Sequence, residues 1–97
     1  MKTIFITGAS RGIGFEMARQ SLSCGNRVIA SCRNPDDADE LNSLMDSYDQ
    51  LDLLEMDVCS NDSVNACLSH LYSKRQPIDL LFNNAGIIDW RNFHEIT

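Results

Sequence analysis

The sequence has few basic residues: Lys and Arg number 8, against 14 Asp and Glu in 97 residues, and the net charge is −6. Proteins that bind the nucleic-acid backbone need clustered Lys and Arg to displace counterions. The composition therefore argues against a nucleic-acid partner. Low-complexity tracts and internal repeats are also absent, and 43% of the residues are hydrophobic. These features predict one globular unit spanning residues 1–97.

Long apolar runs are absent as well. No segment approaches the roughly 18 apolar residues that a membrane-spanning helix needs. The apolar run that begins at Thr3 ends at Gly8, which is too short for a secretory signal peptide. We therefore expect a cytoplasmic protein without a membrane partner.

The cysteines do not form a metal-binding pattern, because no Cys-x-x-Cys pair occurs and the histidines, His70 and His94, lie elsewhere. In a chain without a secretory signal, free cysteine is expected to behave as a small buried hydrophobic residue. This prediction concerns four residues: Cys24, Cys32, Cys59 and Cys67.

Four short segments rich in β-branched and other apolar residues have the composition of buried strands. The predicted strands are residues 3–7, 27–31, 51–56 and 78–82. Apolar residues at helical spacing predict three intervening helices. The first stripe comprises Ile13, Met17, Ala18, Ser21 and Leu22, the second Leu41, Leu44, Met45 and Tyr48, and the third Val64, Cys67, Leu68, Leu71 and Tyr72.

Local signals indicate where these helices begin and end. Gly25 is expected to end the first helix, and Ser60 to cap the third. Pro35 and the acids after it are typical of the first turn of the second helix. The acidic run Asp36, Asp37, Asp39 and Glu40 is interpreted as helix-start charge rather than as a metal site. Strands that alternate with helices predict an α/β fold whose parallel sheet is covered on both faces.

A glycine array lies between the first strand and the first helix, in Thr7-Gly8-Ala9-Ser10-Arg11-Gly12-Ile13-Gly14. Gly8 permits a sharp turn, Gly12 lets the backbone approach a pyrophosphate, and Gly14 allows close packing of the helix on the sheet. The helix N-terminus offers free N–H groups and a positive dipole end to phosphates. Because no Gly-Lys-Ser or Gly-Lys-Thr follows, the array favours a dinucleotide over a nucleoside triphosphate.

Three motifs in this order resemble the classical short-chain dehydrogenase/reductase family. They are the glycine array, Asp57-Val58 after the third strand, and Asn83-Asn84-Ala85-Gly86 after the fourth. The segment Cys32-Arg33-Asn34-Pro35 also resembles the carbonyl-reductase and C-factor-like branch. The resemblance implies a three-layer Rossmann-type, doubly wound parallel sheet with strand order 3-2-1-4, of which this chain supplies the N-terminal half.

The same resemblance implies roles for individual residues in binding a nicotinamide dinucleotide. Ser10, Arg11 and Ile13 would line its phosphate end, together with the glycines. Asp57 would bind the adenine amino group, and Val58 would flank the ring. Asn84, Ala85 and Gly86 would border the adenine-side ribose. Asn83 has two open interpretations, one in the site and one as a tie between neighbouring strands.

The residues at the end of the second strand bear on the choice of cofactor. An NAD-selective site usually has an acidic residue there to hold the ribose 2′-hydroxyl. This sequence instead has Arg33, with Arg11 expected close by, and guanidinium groups suit a 2′-phosphate. NADP(H) is therefore the favoured cofactor, while NAD(H) stays possible because Asp36 or Asp37 can approach the ribose.

No catalytic residue is assigned within the chain. The family's reaction needs a tyrosine four residues before a lysine, but Tyr48 precedes Asp52 at that spacing and Tyr72 precedes Gln76. The resemblance implies a longer, homo-oligomeric parent enzyme that transfers hydride between NADP(H) and a carbonyl or secondary alcohol. The residues present are expected to supply cofactor recognition without catalysis. The alternative is a non-catalytic module that senses dinucleotides or binds a partner.

Overall fold

A computed structural model describes residues 1–84 of the chain. Its strands are β1 (Thr3–Thr7), β2 (Arg27–Cys32), β3 (Leu51–Glu55) and β4 (Leu80–Asn83). Its helices are α1 (Gly12–Ser23), α2 (Asp39–Ser47) and α3 (Asn61–Ser73), and a 3-10 turn covers Pro35–Asp37. This order confirms the predicted alternation of strands and helices.

The four strands form one parallel sheet in the order β3-β2-β1-β4. This order confirms the predicted 3-2-1-4 arrangement of a Rossmann-type sheet. Parallel neighbours need crossover connections, and each connection here contains one of the helices. All four strands consequently end at the same edge of the sheet, which we call the carboxyl edge.

Helices cover both faces of the sheet, so the domain has three layers. On one face, Ile6 and Ala30 pack with Leu22 of α1 and Leu41 of α2. On the other face, strand residues pack with α3; this second cluster comprises Phe5, Ile29, Met56, Val64, Cys67, Leu68 and Leu71. Strand side chains alternate between the two covered faces, which explains why β1 and β2 are buried at nearly every position.

The second helix begins later than predicted. Pro35 lies in the separate 3-10 turn, where Asp37 N–H donates to Asn34 O and Ala38 N–H to Pro35 O. Ala38 then leaves helical geometry, with φ −87° and ψ 71°, and its side chain is buried in the core. Burying Ala38 requires this change of direction, so α2 starts only at Asp39. The four acidic residues nevertheless lie where the chain starts to coil, as predicted: Asp36 and Asp37 in the 3-10 turn, and Asp39 and Glu40 in the first turn of α2.

Four strand boundaries also differ from the prediction. β2 extends one residue further, to Cys32, and β3 ends one residue earlier, at Glu55. β4 begins at Leu80 rather than at Ile78 and ends at Asn83 rather than at Phe82. Backbone pairing with a neighbouring strand sets these limits, and an apolar run does not reveal where that pairing stops.

The predicted apolar stripes are wider than the buried surfaces. Four stripe residues do not belong to the core: Ile13 is 70% exposed, Tyr72 66%, Met45 40% and Met17 37%. Helical spacing identifies a face, but the width of the sheet below decides how much of that face is covered. Ile13 lies in the first turn of α1, at the carboxyl edge, where the sheet ends.

The cysteines are all unpaired, and they divide into two classes. Cys32 and Cys67 are buried, as predicted, and burial raises the pKa of both thiols, that of Cys67 to about 11. Cys24 and Cys59 are exposed, so the prediction of burial is wrong for them. Both follow regular elements, Cys24 after α1 and Cys59 after β3, in turns that leave the core.

Two further findings concern residues 1–84. None of their helices has the length and apolar character that a membrane crossing requires. Nor do these residues bring together three or more His, Cys, Asp or Glu side chains in an arrangement that can hold a metal ion.

Candidate functional site

The glycine loop after β1 has the backbone geometry that its sequence predicts. Gly8 and Gly12 have φ angles of +62° and +65°, which favour glycine. A Cβ built on Gly14 would lie 2.5 Å from Gly8 O and 2.7 Å from Asn84 Nδ2. A Cβ on Gly12 would meet nothing within 4 Å. Gly14 therefore allows close packing, whereas Gly12 presents bare backbone to open space.

The N-terminus of α1 is open to an anion. Its N-cap residue, Arg11, makes no side-chain capping hydrogen bond, and the first turn contains no acidic residue. By contrast, α2 begins with Asp39 and Glu40, and Ser60 Oγ caps α3 by accepting from Ser63 N–H at 3.2 Å. Free N–H groups and the positive helix dipole therefore face the glycine loop without a compensating side chain.

A cleft of about 420 Å³ lies beside this helix start, between the glycine loop and the end of β2. Arg11 and Arg33 both line it, which places the two predicted phosphate-binding arginines at one cavity. Both arginines are exposed at the surface. Three acidic residues, Asp37, Asp39 and Glu40, line the same cleft. The cleft thus offers guanidinium groups for a phosphate and carboxylates for ribose hydroxyls.

The turn after β3 fixes the orientation of Asp57. Its Oδ1 accepts from Cys59 N–H at 2.9 Å, and its own N–H donates to Ser63 Oγ at 2.8 Å. Within residues 1–84, Oδ2 of Asp57 has no hydrogen-bond partner. Val58, the next residue, is half-buried and packs against the core under α3. The carboxylate is therefore held in place with one oxygen available to a donor.

Polar side chains connect the ends of β1 and β4. The buried hydroxyl of Thr7 donates to Asn83 Oδ1 at 2.9 Å and accepts from Asn84 N–H at 3.0 Å. Asn84 Nδ2 donates to Gly8 O at 3.2 Å, which ties the β4 loop to the glycine loop. These contacts give Asn83 the structural role that the sequence had left open, and they place Asn84 against the glycine array.

Ala85 and Gly86, the other two residues of that predicted motif, lie outside the described residues. The same is true of His94. Sequence reasoning missed Thr7 and Ser31, two buried polar residues near the ends of β1 and β2. A hydroxyl residue at the end of an otherwise apolar strand was the available signal.

The two tyrosines lie far from the carboxyl edge. Tyr48 follows the last residue of α2, and Tyr72 is in the last turn of α3. In a strand–helix–strand crossover the helix C-terminus returns to the edge where the strands begin. Tyr72 is also exposed, at the edge of the α3 stripe. Neither tyrosine is therefore placed to act as an acid or base at the cleft.

Comparison with known families agrees with this geometry. The sequence profile for short chain dehydrogenase matches residues 2–97. The chain belongs to the short-chain dehydrogenase family. An oxidoreductase from Schizosaccharomyces pombe is 36% identical over 87 residues, which are 89% of this chain and 34% of that protein. NADPH-dependent pterin aldehyde reductase from Arabidopsis thaliana is 34% identical over 88 residues, 91% of this chain and 36% of the relative.

Solved structures of the family have the same fold. The NADPH-bound carbonyl reductase from chicken fatty liver superposes with a TM-score of 0.82 at 32% identity, covering 90% of this chain and 35% of that one. A carbonyl reductase from Pseudomonas aeruginosa in complex with NADP gives a TM-score of 0.80 at 33% identity, covering 90% and 39%. The chain thus spans about a third of the length of the relatives that it matches.

Proposed function

We propose that this chain is the NADP(H)-binding half of an oxidoreductase that transfers hydride between the cofactor and a carbonyl or secondary alcohol. The observation that carries the proposal is the arrangement at the carboxyl edge. Arg11 and Arg33 line one cleft, and the bare backbone of Gly12 and the uncapped start of α1 directly follow Arg11 in the chain. Each of these features suits a phosphate, and together they suit a dinucleotide with several phosphates.

In this proposal the glycine loop holds the pyrophosphate. Gly8, Gly12 and Gly14 shape the turn, and Ser10, Arg11 and Ile13 line the phosphate end. The residues that follow β3 and β4 hold the adenosine: Asp57, Val58, Asn84, Ala85 and Gly86. The free oxygen of Asp57 accepts the adenine amino group, and Val58 flanks the ring. Exposed Ile13 gains an apolar neighbour when the cofactor covers it.

The preference for NADP(H) rests on Arg33. It lies just past the end of β2, where an NAD-selective site usually has an acid, and it shares the cleft with Arg11. Solved relatives that bind NADPH or NADP support this assignment. The acids that also line the cleft, Asp37 in particular, keep NAD(H) as a possible second cofactor, because a carboxylate can accept hydrogen bonds from ribose hydroxyls.

When bound, the nicotinamide ring supplies the hydride chemistry, and the residues described here bind and orient its adenosine and phosphates. The similarity to carbonyl reductases supports a carbonyl or secondary alcohol as substrate. We further propose a cytoplasmic, homo-oligomeric parent enzyme. A non-catalytic dinucleotide sensor is the second candidate, and the position of both tyrosines away from the carboxyl edge favours it for residues 1–84.

Calorimetric titration of the protein with NADPH and NADH tests the proposal, with circular dichroism as the check on folding. We expect saturable binding with a preference for NADPH. Gly12→Val should lower the affinity roughly 100-fold or more, because a side chain would fill the space reserved for the pyrophosphate.

Gly25→Val is the matched control for that substitution. Gly25 also has a positive φ, of +88°, and nothing lies within 4 Å of a Cβ built there, but it is at the other end of α1. Both variants are strained to a similar degree, and only Gly12→Val should lose affinity. A folded protein that binds neither dinucleotide, or equal binding by the two variants, would contradict the proposal.

A further inference from the structure

One row of four side chains across the sheet contains three polar residues although it lies on the face that α3 covers. In register, Ser31 of β2 stands between Thr7 of β1 and Leu54 of β3, and Thr7 also pairs with Asn83 of β4. Thr7 and Asn83 are hydrogen-bonded to each other. Ser31 is fully buried, and its hydroxyl has no hydrogen-bond partner.

This unpaired hydroxyl is unusual among the described residues. The other buried side-chain atom without a partner is Nε of Arg27. The Arg27 side chain is 35% exposed, however, and its Nη2 already contacts Asp52 Oδ2 at 2.6 Å. Ser31 has neither solvent nor any partner, and burying a hydroxyl in that state lowers stability. An alanine would suit the position better if only the stability of the free protein mattered.

The location of Ser31 indicates what the hydroxyl is for. It lies one residue before the end of β2 and two residues before Arg33, which lines the cleft. Its neighbour Thr7 holds the backbone of Asn84 through the 3.0 Å hydrogen bond from Asn84 N–H. Ser31 is therefore two residues from Arg33 along the chain and connected to Asn84 through its neighbour Thr7; the proposed function assigns both residues to the adenosine half of the cofactor.

We propose that Ser31 is a positioning residue for the adenosine end of the dinucleotide, with a hydroxyl that gains its hydrogen bond only when that end is seated. The inference rests on the proposed function. By linkage, a group that is unsatisfied in the free protein and satisfied in the complex favours binding at the expense of the free protein's stability. Removing the Ser31 hydroxyl should therefore raise the stability of the free protein and lower its affinity for the dinucleotide. Removing a purely structural hydroxyl would not have these opposite effects.

Ser31→Ala tests this in the intact protein. We expect a higher melting temperature without ligand and a roughly five- to tenfold weaker affinity for NADPH. Adenosine 2′,5′-bisphosphate, which lacks the nicotinamide half, should lose affinity by the same factor, and binding of nicotinamide mononucleotide should not change. Ser31→Thr keeps the hydroxyl and should restore binding. Ser31→Cys keeps the volume with a weaker donor and should bind as Ser31→Ala does.

Ser21→Ala is the matched control, because Ser21 is a buried serine on α1 whose hydroxyl is not among the unpaired atoms. It should neither stabilise the free protein nor alter binding. Unchanged NADPH affinity in Ser31→Ala, or a lower melting temperature, would overturn the inference while leaving the proposed function intact. Failure of the unmodified protein to bind any of the three probes would overturn both.

Discussion

The two edges of the sheet differ in how their polar groups are used. At the edge where the strands begin, side chains from distant parts of the chain bind the backbone. Thr3 N–H donates to Asp79 Oδ2 at 2.7 Å, and Asp79 N–H donates to Thr3 O at 2.9 Å. Lys2 N–H donates to Asn26 Oδ1 at 3.1 Å. These contacts join β1 to the segments before β2 and β4.

The carboxyl edge combines such closures with groups that have no partner. Gly12 and the start of α1 present backbone without a side-chain partner, and the Ser31 hydroxyl is buried unpaired. Ile13 is largely exposed there. Hydrogen bonds nevertheless join β1 to β4 there through Thr7, Asn83 and Asn84, and others fix Asp57. Both edges therefore stabilise the fold, and the carboxyl edge in addition leaves the start of α1 and the buried Ser31 hydroxyl without a side-chain partner.

The largest expected effect on stability is at Gly14, where the carboxyl edge is tightly packed. Gly14→Ala would put a Cβ 2.5 Å from Gly8 O. We expect the free energy of unfolding to fall by about 2 to 3 kcal/mol, because backbone must move. Urea denaturation measures this change. Gly12→Ala is the control, with open space around its Cβ and a cost of about 1 kcal/mol from its positive φ alone. Equal losses would show that packing is not the difference between these glycines.

Arg33→Ala, at the carboxyl edge, should change the affinity for a ligand, whereas a matched substitution at the opposite edge should not. If Arg33 contacts a 2′-phosphate, the variant should weaken NADPH binding roughly 10- to 100-fold and NADH binding much less. Isothermal titration with both cofactors measures the ratio. Lys74→Ala removes the same charge beyond the C-terminal end of α3, at the opposite edge, and should leave both affinities unchanged. A similar loss for the two cofactors in Arg33→Ala would remove the basis for the NADP(H) preference.

Asp79→Ala should have the opposite effects: it should lower stability and leave NADPH affinity unchanged. It deletes the acceptor for Thr3 N–H, and the cost should be about 1 kcal/mol of unfolding free energy, since the side chain is exposed. Chemical denaturation gives the stability, and titration with NADPH should give an unchanged affinity. Weaker NADPH binding with no loss of stability would mean that the two edges are not functionally distinct.

The smallest effect is expected at the end of α3. Helices α1 and α3 end in the same hydrogen-bond pattern, with Gly25 at φ +88° in one and Arg75 at φ +52° in the other. Arg75→Gly should relieve the strain and stabilise the protein by about 0.5 kcal/mol, the gain being reduced by the flexibility of glycine in the unfolded chain. Gly25→Ala should be destabilising by a similar amount. Thermal denaturation of both variants measures these changes in stability. If Arg75→Gly lowers the melting temperature, the arginine side chain makes a contact that stabilises the protein by more than the backbone strain destabilises it.

Much of the fold was predictable because it depends on local patterns. Strand composition, the glycine stop at Gly25 and the Ser60 cap gave the elements and their order correctly. Helix α2 was placed too early because the burial of Ala38 depends on packing, which local signals do not contain. For the same reason Ile13 and Tyr72 were assigned to the core, although helical spacing alone does not define how far the sheet extends beneath a helix.

In the candidate site, too, some features follow from local sequence and others only from tertiary structure. The sequence by itself determined the glycine loop, because positive φ angles and close packing depend on a missing side chain. It pointed to Arg33 by its position after the second strand, and to Asp57 and Asn84 through the family resemblance. Only the tertiary structure decided that Arg11 and Arg33 border one cleft, that Asn83 ties β4 to β1, and that Ser31 is buried without a partner. These facts depend on the distance between residues far apart in the chain, which is set only when the strands pair in register and the helices pack on the sheet.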